Sequence, residues 1–347
     1  MAVDISKLVG EVKERIELNE LSGKKLAIDA YNTIYQFLSI IRQPNGMPLV
    51  DSKGKVTSHL SGLFYRTISI VENGITPIFI FDGIPPMLKR RTIEARASRR
   101  EEAYGEWQDA MKKGLVEEAR IHAMASTKIN KEIVESSKEL LQAMGIPFLQ
   151  APSEGEAQAA RLVKEGFAYA AASQDYDLFL FGSDIVIRNL TITGRRKLPK
   201  KNVYIEVNPE MVLLKKLLEK FEITQRDLIW IGLLIGTDFN TGIDGIGPAT
   251  ALKLVKIYRE KEQLVKAVKE KYQDFDVDPF EVEKIFTNPD TRELSLEEQQ
   301  SLNIAKPNMD KITKIMCDEH EFSHERIIKF AEKLEELSDA KGQKSLF

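Results

Sequence analysis

Ala151-Pro152-Ser153-Glu154-Gly155-Glu156-Ala157-Gln158-Ala159-Ala160 and the later stretch Ser173-Gln174-Asp175-Tyr176-Asp177 decide how this chain is read. Each holds two carboxylates one residue apart. The first pair stands where a helix should begin, and the second follows a short apolar strand over residues 167–172. Carboxylates gathered in a fold repel one another by about 4 kcal/mol per pair at about 4 Å with an effective dielectric of about 20. Such a gathering needs a counterweight, and the usual one is a divalent cation bound by oxygen ligands. These four acids, with Asp29, Asp82 and Asp238, are read as holding a pair of magnesium ions.

Working outward, Lys24-Lys25-Leu26-Ala27-Ile28-Asp29 reads as a buried strand ending on an acid. A helix follows with Ile34, Tyr35, Leu38 and Ile41 on one face. Pro44-Asn45-Gly46 breaks it, and a second helix pattern runs over 57–72. Thr76-Pro77-Ile78-Phe79-Ile80-Phe81-Asp82-Gly83 repeats the first motif, an apolar run ending in Asp. Ile146-Pro147-Phe148-Leu149 precedes the Glu154 pair. Strand-like and helical segments alternate, so the expected fold is α/β: a central, mostly parallel twisted sheet flanked by helices. Ligands in such sheets bind beyond the carboxyl ends of the strands, where every acid up to Asp177 falls. A further strand is expected over 185–190, and mostly helix from Glu210 onward.

The rest of the chain sets limits. Its 347 residues are enough for one large domain or two smaller ones. No apolar run nears the roughly 18 residues of a membrane span, and the mixed, charged first twenty residues do not resemble a secretory signal. The single Cys317 excludes an internal disulfide framework and a Cys-rich zinc site. With 50 Lys plus Arg against 53 Asp plus Glu, net charge predicts no nucleic-acid partner, so the distribution of charge must carry that argument. Between Ile84 and Arg100 six basic residues (Lys89, Arg90, Arg91, Arg96, Arg99 and Arg100) face one acid, Glu94, and 101–131 is helical and charged. This insertion should stand clear of the core. Arg195-Arg196-Lys197-Leu198-Pro199-Lys200-Lys201 is a second basic run. Gly236 to Ala249 lies between helices, and its Gly-Ile-Gly-Pro end opens a helix whose N–H groups can face a phosphate.

Each acid also has a bland reading. Asp29 caps its helix, Asp82-Gly83 is a turn, and Ser153-Glu154-Gly155-Glu156 is a capping box with Glu156 reaching back to Ser153. Asp175, Asp177 and Asp238 are loop or turn residues. Tyr35 is core, or a base-stacking platform near Asp29. The basic insertion is a solvated helical hairpin. What favours the metal reading is that four strand-like segments in order end in acids at one edge.

Ile28-Asp29-Ala30, Phe81-Asp82-Gly83-Ile84-Pro85-Pro86, the two paired-acid stretches and Gly236-Thr237-Asp238 together resemble the flap endonucleases of the XPG nuclease family. Arg42-Gln43-Pro44 and the run from Thr57 to Arg66 fit as well, and the resemblance covers nearly the whole chain. Its compact length looks archaeal. The resemblance implies a magnesium-dependent enzyme that cuts DNA where a single-stranded 5′ flap meets duplex, with an associated 5′–3′ exonuclease, in Okazaki-fragment maturation and base-excision repair. It implies two Mg2+ (Mn2+ substituting), with Asp29, Asp82, Glu154 and Glu156 in one ligand group and Asp175, Asp177 and Asp238 in the other. Lys89 and Arg96 match arch residues that approach the scissile phosphate. Tyr35 matches the aromatic beside the cut, and Arg42 and Arg66 match DNA-contacting positions. Glu154, Gly236, Asp238, Gly245 and Gly247 are assigned to DNA binding too. Gly236 to Ala249 matches a helix–two-turn–helix element with K+.

The implied organisation is a nuclease core over 1–260, with an arch over 84–130 and the helix–two-turn–helix element at about 225–260. A C-terminal helical region follows over 261–337, then a flexible tail over 338–347. In that tail Gln343, Leu346 and Phe347 form a partial motif for the sliding clamp PCNA, lacking its second aromatic. The implied partners are branched DNA (5′ flap, nicked duplex) and that clamp, with no membrane, for a monomer in the cytoplasm, or in the nucleus of a eukaryote. The rivals are a sister 5′ exonuclease or four-way-junction resolvase, a DNA-binding scaffold that no longer cuts, and a metal phosphatase.

Overall fold

Leu26, Ile28, Phe79 and Phe81 bury against one helical layer, while Ala27, Ile78 and Ile80 between them bury against another. Side chains alternate across a strand, so strands covered on both faces read as unbroken apolar runs. The computed structural model describes residues 3–43, 45–192, 194–197 and 204–344. Its strands are β1 (Glu14–Arg15), β2 (Lys25–Asp29), β3 (Thr76–Phe81), β4 (Phe148–Gln150), β5 (Ala170–Ala172), β6 (Ile185–Arg188), β7 (Gly194–Lys197), β8 (Tyr204–Val207) and β9 (Glu210–Leu213). Seven form one sheet in the order β1-β9-β6-β5-β2-β3-β4, while β7 and β8 pair apart as a two-stranded ribbon. The five central strands run parallel, and β9 runs antiparallel to both its neighbours, β6 and β1. The expected α/β architecture with a mostly parallel sheet is therefore present.

Several expectations are corrected. The chain does not turn helical at Glu210: it first returns to the sheet as β9. The strand expected over 185–190 stops at Arg188, and a 3-10 turn follows at Leu190–Ile192. Only Ala170–Ala172 of 167–172 is strand. The tail over 338–347 is not loose where described, because the helix His324–Lys344 runs through it. Ile327, Ala331 and Leu334 of that helix share a core with the helix Ser58–Glu72, and Phe330 meets Tyr65 edge to face at 4.9 Å. Leu346 and Phe347 lie outside the described residues, as does 198–201 of the second basic run.

The insertion is a hairpin of the helices Arg90–Lys112 and Val116–Ala125. Within these two helices the buried residues are alanines, Ala103, Ala110, Ala119 and Ala123, whose small side chains let the helices approach closely. Lys89 stands just before the first helix, in a 3-10 turn at Met87–Lys89.

Candidate metal centre

Asp29 is the last residue of β2 and also the N-cap of the helix Ala30–Ile40, where its Oδ1 accepts from the Asn32 N–H at 3.0 Å. The bland reading and the functional one hold together here. Asp82 follows β3, and its Oδ1 accepts from the Gly155 N–H at 2.7 Å. Gly83 N–H donates to Ser153 O at 2.6 Å, and a Cβ on Gly83 would lie 2.2 Å from Pro152 O, so the Asp82 and Glu154 loops lock only with glycine there. Glu154 is the N-cap of the helix Gly155–Lys164, but it makes no side-chain cap. The capping box of the bland reading is absent: Glu156 turns inward, and its Oε1 is buried without a hydrogen-bond partner among the described residues. Asp177 Oδ1 accepts from the Val3 N–H at 2.9 Å, and Asp175 Oδ2 from Asn32 Nδ2 at 3.1 Å.

Asp238 arrives from the loop after the helix Gln225–Ile235. Its Oδ1 meets Arg96 Nη2 at 2.5 Å and its Oδ2 meets Lys89 Nζ at 3.4 Å, while Lys89 also bonds Glu154. The seven acids expected from sequence thus meet at one rim with the two expected cations. Among the described residues no three acidic, His or Cys side chains already converge on one ion-sized point. Lys89 and Arg96 stand among them as counter-charges.

Lys89 and Arg96, with Arg188 acting on Asp175, are too few for seven acids. Burial, then Asp82, pushes the Asp29 carboxyl up to about 8. Burial and Glu154 raise Asp82 to about 6, and burial and Asp238 raise Asp177 to about 7. Glu156 lies well above the carboxylate range through burial, then Asp177 and Asp29; Asp175 is raised by burial, then Asp238. Asp238 differs: burial opposes its charge, but Lys89 and Arg96 hold it below the usual range. Burial likewise opposes the charge of Lys89, yet Glu154, Asp238 and Asp82 keep it above the ordinary lysine range. Crowded hard oxygens, an orphaned buried carboxylate oxygen and excess negative charge fit divalent cations of the magnesium kind.

The remaining candidates lie around this rim. Tyr35 is 39% exposed on the helix that Asp29 caps, so it is not core. Arg42 is tied into its own surroundings, donating to Ser39 O at 3.2 Å, to Gly46 O at 2.6 Å and to Thr127 Oγ1, and burial lowers it to about 10. Arg66 is exposed on the helix Ser58–Glu72. Gly236 (φ 109°) ends the helix Gln225–Ile235, Gly245 (φ 79°) turns the following loop, and Gly247 is the N-cap of Pro248–Ile257. Gln343 falls in the last helix. Val3, Asn32 and Ser173, whose hydroxyl donates to Asp29 Oδ2 at 3.3 Å, escaped sequence reasoning.

The sequence model of the XPG N-terminal domain matches residues 1–103, and that of the XPG I-region matches 145–238. Flap endonuclease 1 of Pyrococcus abyssi is 48% identical over 347 residues, spanning 100% of this chain and 97% of the relative. That of Staphylothermus marinus is 50% identical over 337 residues, 96% of this chain and 94% of the relative. The solved flap endonuclease-1 from Methanococcus jannaschii is similar at a TM-score of 0.74 and 38% identity, covering 98% of this chain and 99% of that one. The catalytic core of Rad2 in complex with DNA substrate shares the fold at a TM-score of 0.68 and 23% identity, covering 96% and 100%.

Proposed function

The chain belongs to the flap endonucleases of the XPG nuclease family, and from that membership we propose how its acid rim works on DNA. It is a metal-dependent, structure-specific 5′-flap endonuclease of replication and repair, with an associated 5′–3′ exonuclease. The observation that carries the metal assignment is the surplus of buried carboxylates at the rim, with Glu156 Oε1 unpartnered. Asp29, Asp82, Glu154 and Glu156 would hold one Mg2+, and Asp175, Asp177 and Asp238 the other, with Mn2+ able to replace them. Bound there, such a pair activates water and offsets charge on the phosphoryl and leaving oxygens.

The protein's own groups do the rest. Lys89, just before the basic hairpin, and Arg96, on it, place positive charge at the rim and add to charge stabilisation when a phosphate enters. Tyr35 offers an exposed ring for the base beside the cut. Arg66 and the Gly236–Gly247 turn, the latter with K+, grip the duplex backbone without reading sequence. Arg42 acts through the base of the hairpin. Gln343, Leu346 and Phe347 give a contact with the sliding clamp. The 84–130 insertion serves as the arch, within a 1–260 core that acts as a monomer. Among the described residues no helix is long and apolar enough to cross a membrane.

Cleavage of end-labelled 5′-flap, nicked-duplex, four-way and blunt DNA, with and without Mg2+, tests the proposal. The flap substrate should be cut near its junction, only with Mg2+. Asp177→Asn should bind the junction and not cut. Cleavage without a divalent ion, or an Asp177→Asn rate within about tenfold of wild type, overturns it.

A further inference from the structure

Asp175 is held by a line of neutral side chains that reaches away from the acids. Asn32 Nδ2 donates to Asp175 Oδ2 at 3.1 Å, and the Asn32 backbone N–H donates to Asp29 Oδ1 at 3.0 Å. Asn32 Oδ1 accepts from the Gln36 side-chain amide and, at 3.4 Å, from the Gln174 N–H. Gln36 Oε1 accepts from the Thr191 hydroxyl at 3.0 Å. Asn32 and Gln36 are four residues apart on one helix, so their side chains stack on the same side. Thr191 comes from the 3-10 turn after β6. A cavity of about 10 Å³ lined by these groups has room for about one water.

We propose that Asn32 is a positioning residue for Asp175, and that Gln36 and Thr191 form the relay that sets its amide. With Oδ1 taken by two N–H donors, Asn32 must present its NH2 to Asp175. One carboxylate oxygen is thereby fixed by a neutral donor, and the other is left for the rim. Lys89 and Arg96 hold Glu154 and Asp238 by charge and so compete with any cation there, whereas Asn32 does not. Partners behind metal ligands typically change metal affinity by about 10–100-fold. The inference rests on the metal assignment proposed above.

The test is Mn2+ titration of the full chain without DNA, read by electron paramagnetic resonance, for wild type, Asn32→Leu, Gln36→Leu and the double variant. Asn32→Leu should weaken Mn2+ binding about 10-fold or more, and Gln36→Leu by less. The double variant should be no worse than Asn32→Leu, because Gln36 acts through Asn32. In cleavage assays the half-saturating Mg2+ should rise, while the rate at saturating Mg2+ stays near wild type. Unchanged Mn2+ affinity in Asn32→Leu, or additive losses in the double variant, overturns the relay. A structural role alone would lower metal-free melting and leave Mn2+ affinity untouched. If Asn32→Leu does not fold, Gln36→Leu decides, since Gln36 bonds Asn32 and Thr191 and no acid among the described residues. Absent Mn2+ binding in wild type would instead sink the metal assignment beneath it.

Discussion

Replacing Asp29 by Asn should stabilise the metal-free protein while abolishing cleavage. Asp29 is 7% exposed, and burial, then Asp82, raises its carboxyl from 3.8 to about 8. Above pH 3.8 the unfolded chain releases this proton, while the folded chain keeps it to about pH 8. The stability linked to Asp29 is therefore fully present at low pH and lost as pH rises through about 8. At pH 7 the difference of about 3 pH units, at about 1.36 kcal/mol each, costs about 4 kcal/mol. The neighbouring acids share that repulsion, and the amide must also find partners for two N–H groups, so Asp29→Asn should regain about 1–3 kcal/mol. Urea unfolding in chelator at pH 5 and pH 8 measures it. The variant's advantage should be larger at pH 8, alongside lost flap cleavage. An identical pH slope in both proteins, or an advantage at pH 8 no larger than at pH 5, would refute the crowding.

Two further outcomes probe the cations and the packing. Lys89→Ala should slow single-turnover cleavage by about 10²–10³-fold while junction affinity changes by less than about threefold; a wild-type rate removes Lys89 from the chemistry. Gly62→Ala would place a Cβ 2.2 Å from the buried Phe37 ring, so the unfolding free energy should fall by about 1–3 kcal/mol, seen as a lower urea midpoint with the m-value unchanged. An unchanged midpoint contradicts the packing of Ala30–Ile40 on Ser58–Glu72.

What was legible in the sequence was what is local. β2 and β3 announce themselves because a parallel strand buried on both faces is an unbroken apolar run, and Asp29 and Asp82 mark where the runs stop. The basic hairpin shows because its few buried positions are alanines in a charged stretch. β9 was hidden because its four residues run directly into the helix Leu214–Phe221, and its place depends on pairing with β6. The capping box misled because Ser153-x-x-Glu156 fits the local rule, yet the rim draws Glu156 inward. Val3 and Asn32 were out of reach for another reason: their acids lie 174 and 143 residues away along the chain.

The most direct test of the acid rim is the number of Mn2+ ions that the metal-free chain takes up. Equilibrium dialysis at neutral pH should give two per chain for the wild type and a reduced count for Asp177→Asn. No saturable uptake, or the same count in both proteins, would contradict the account.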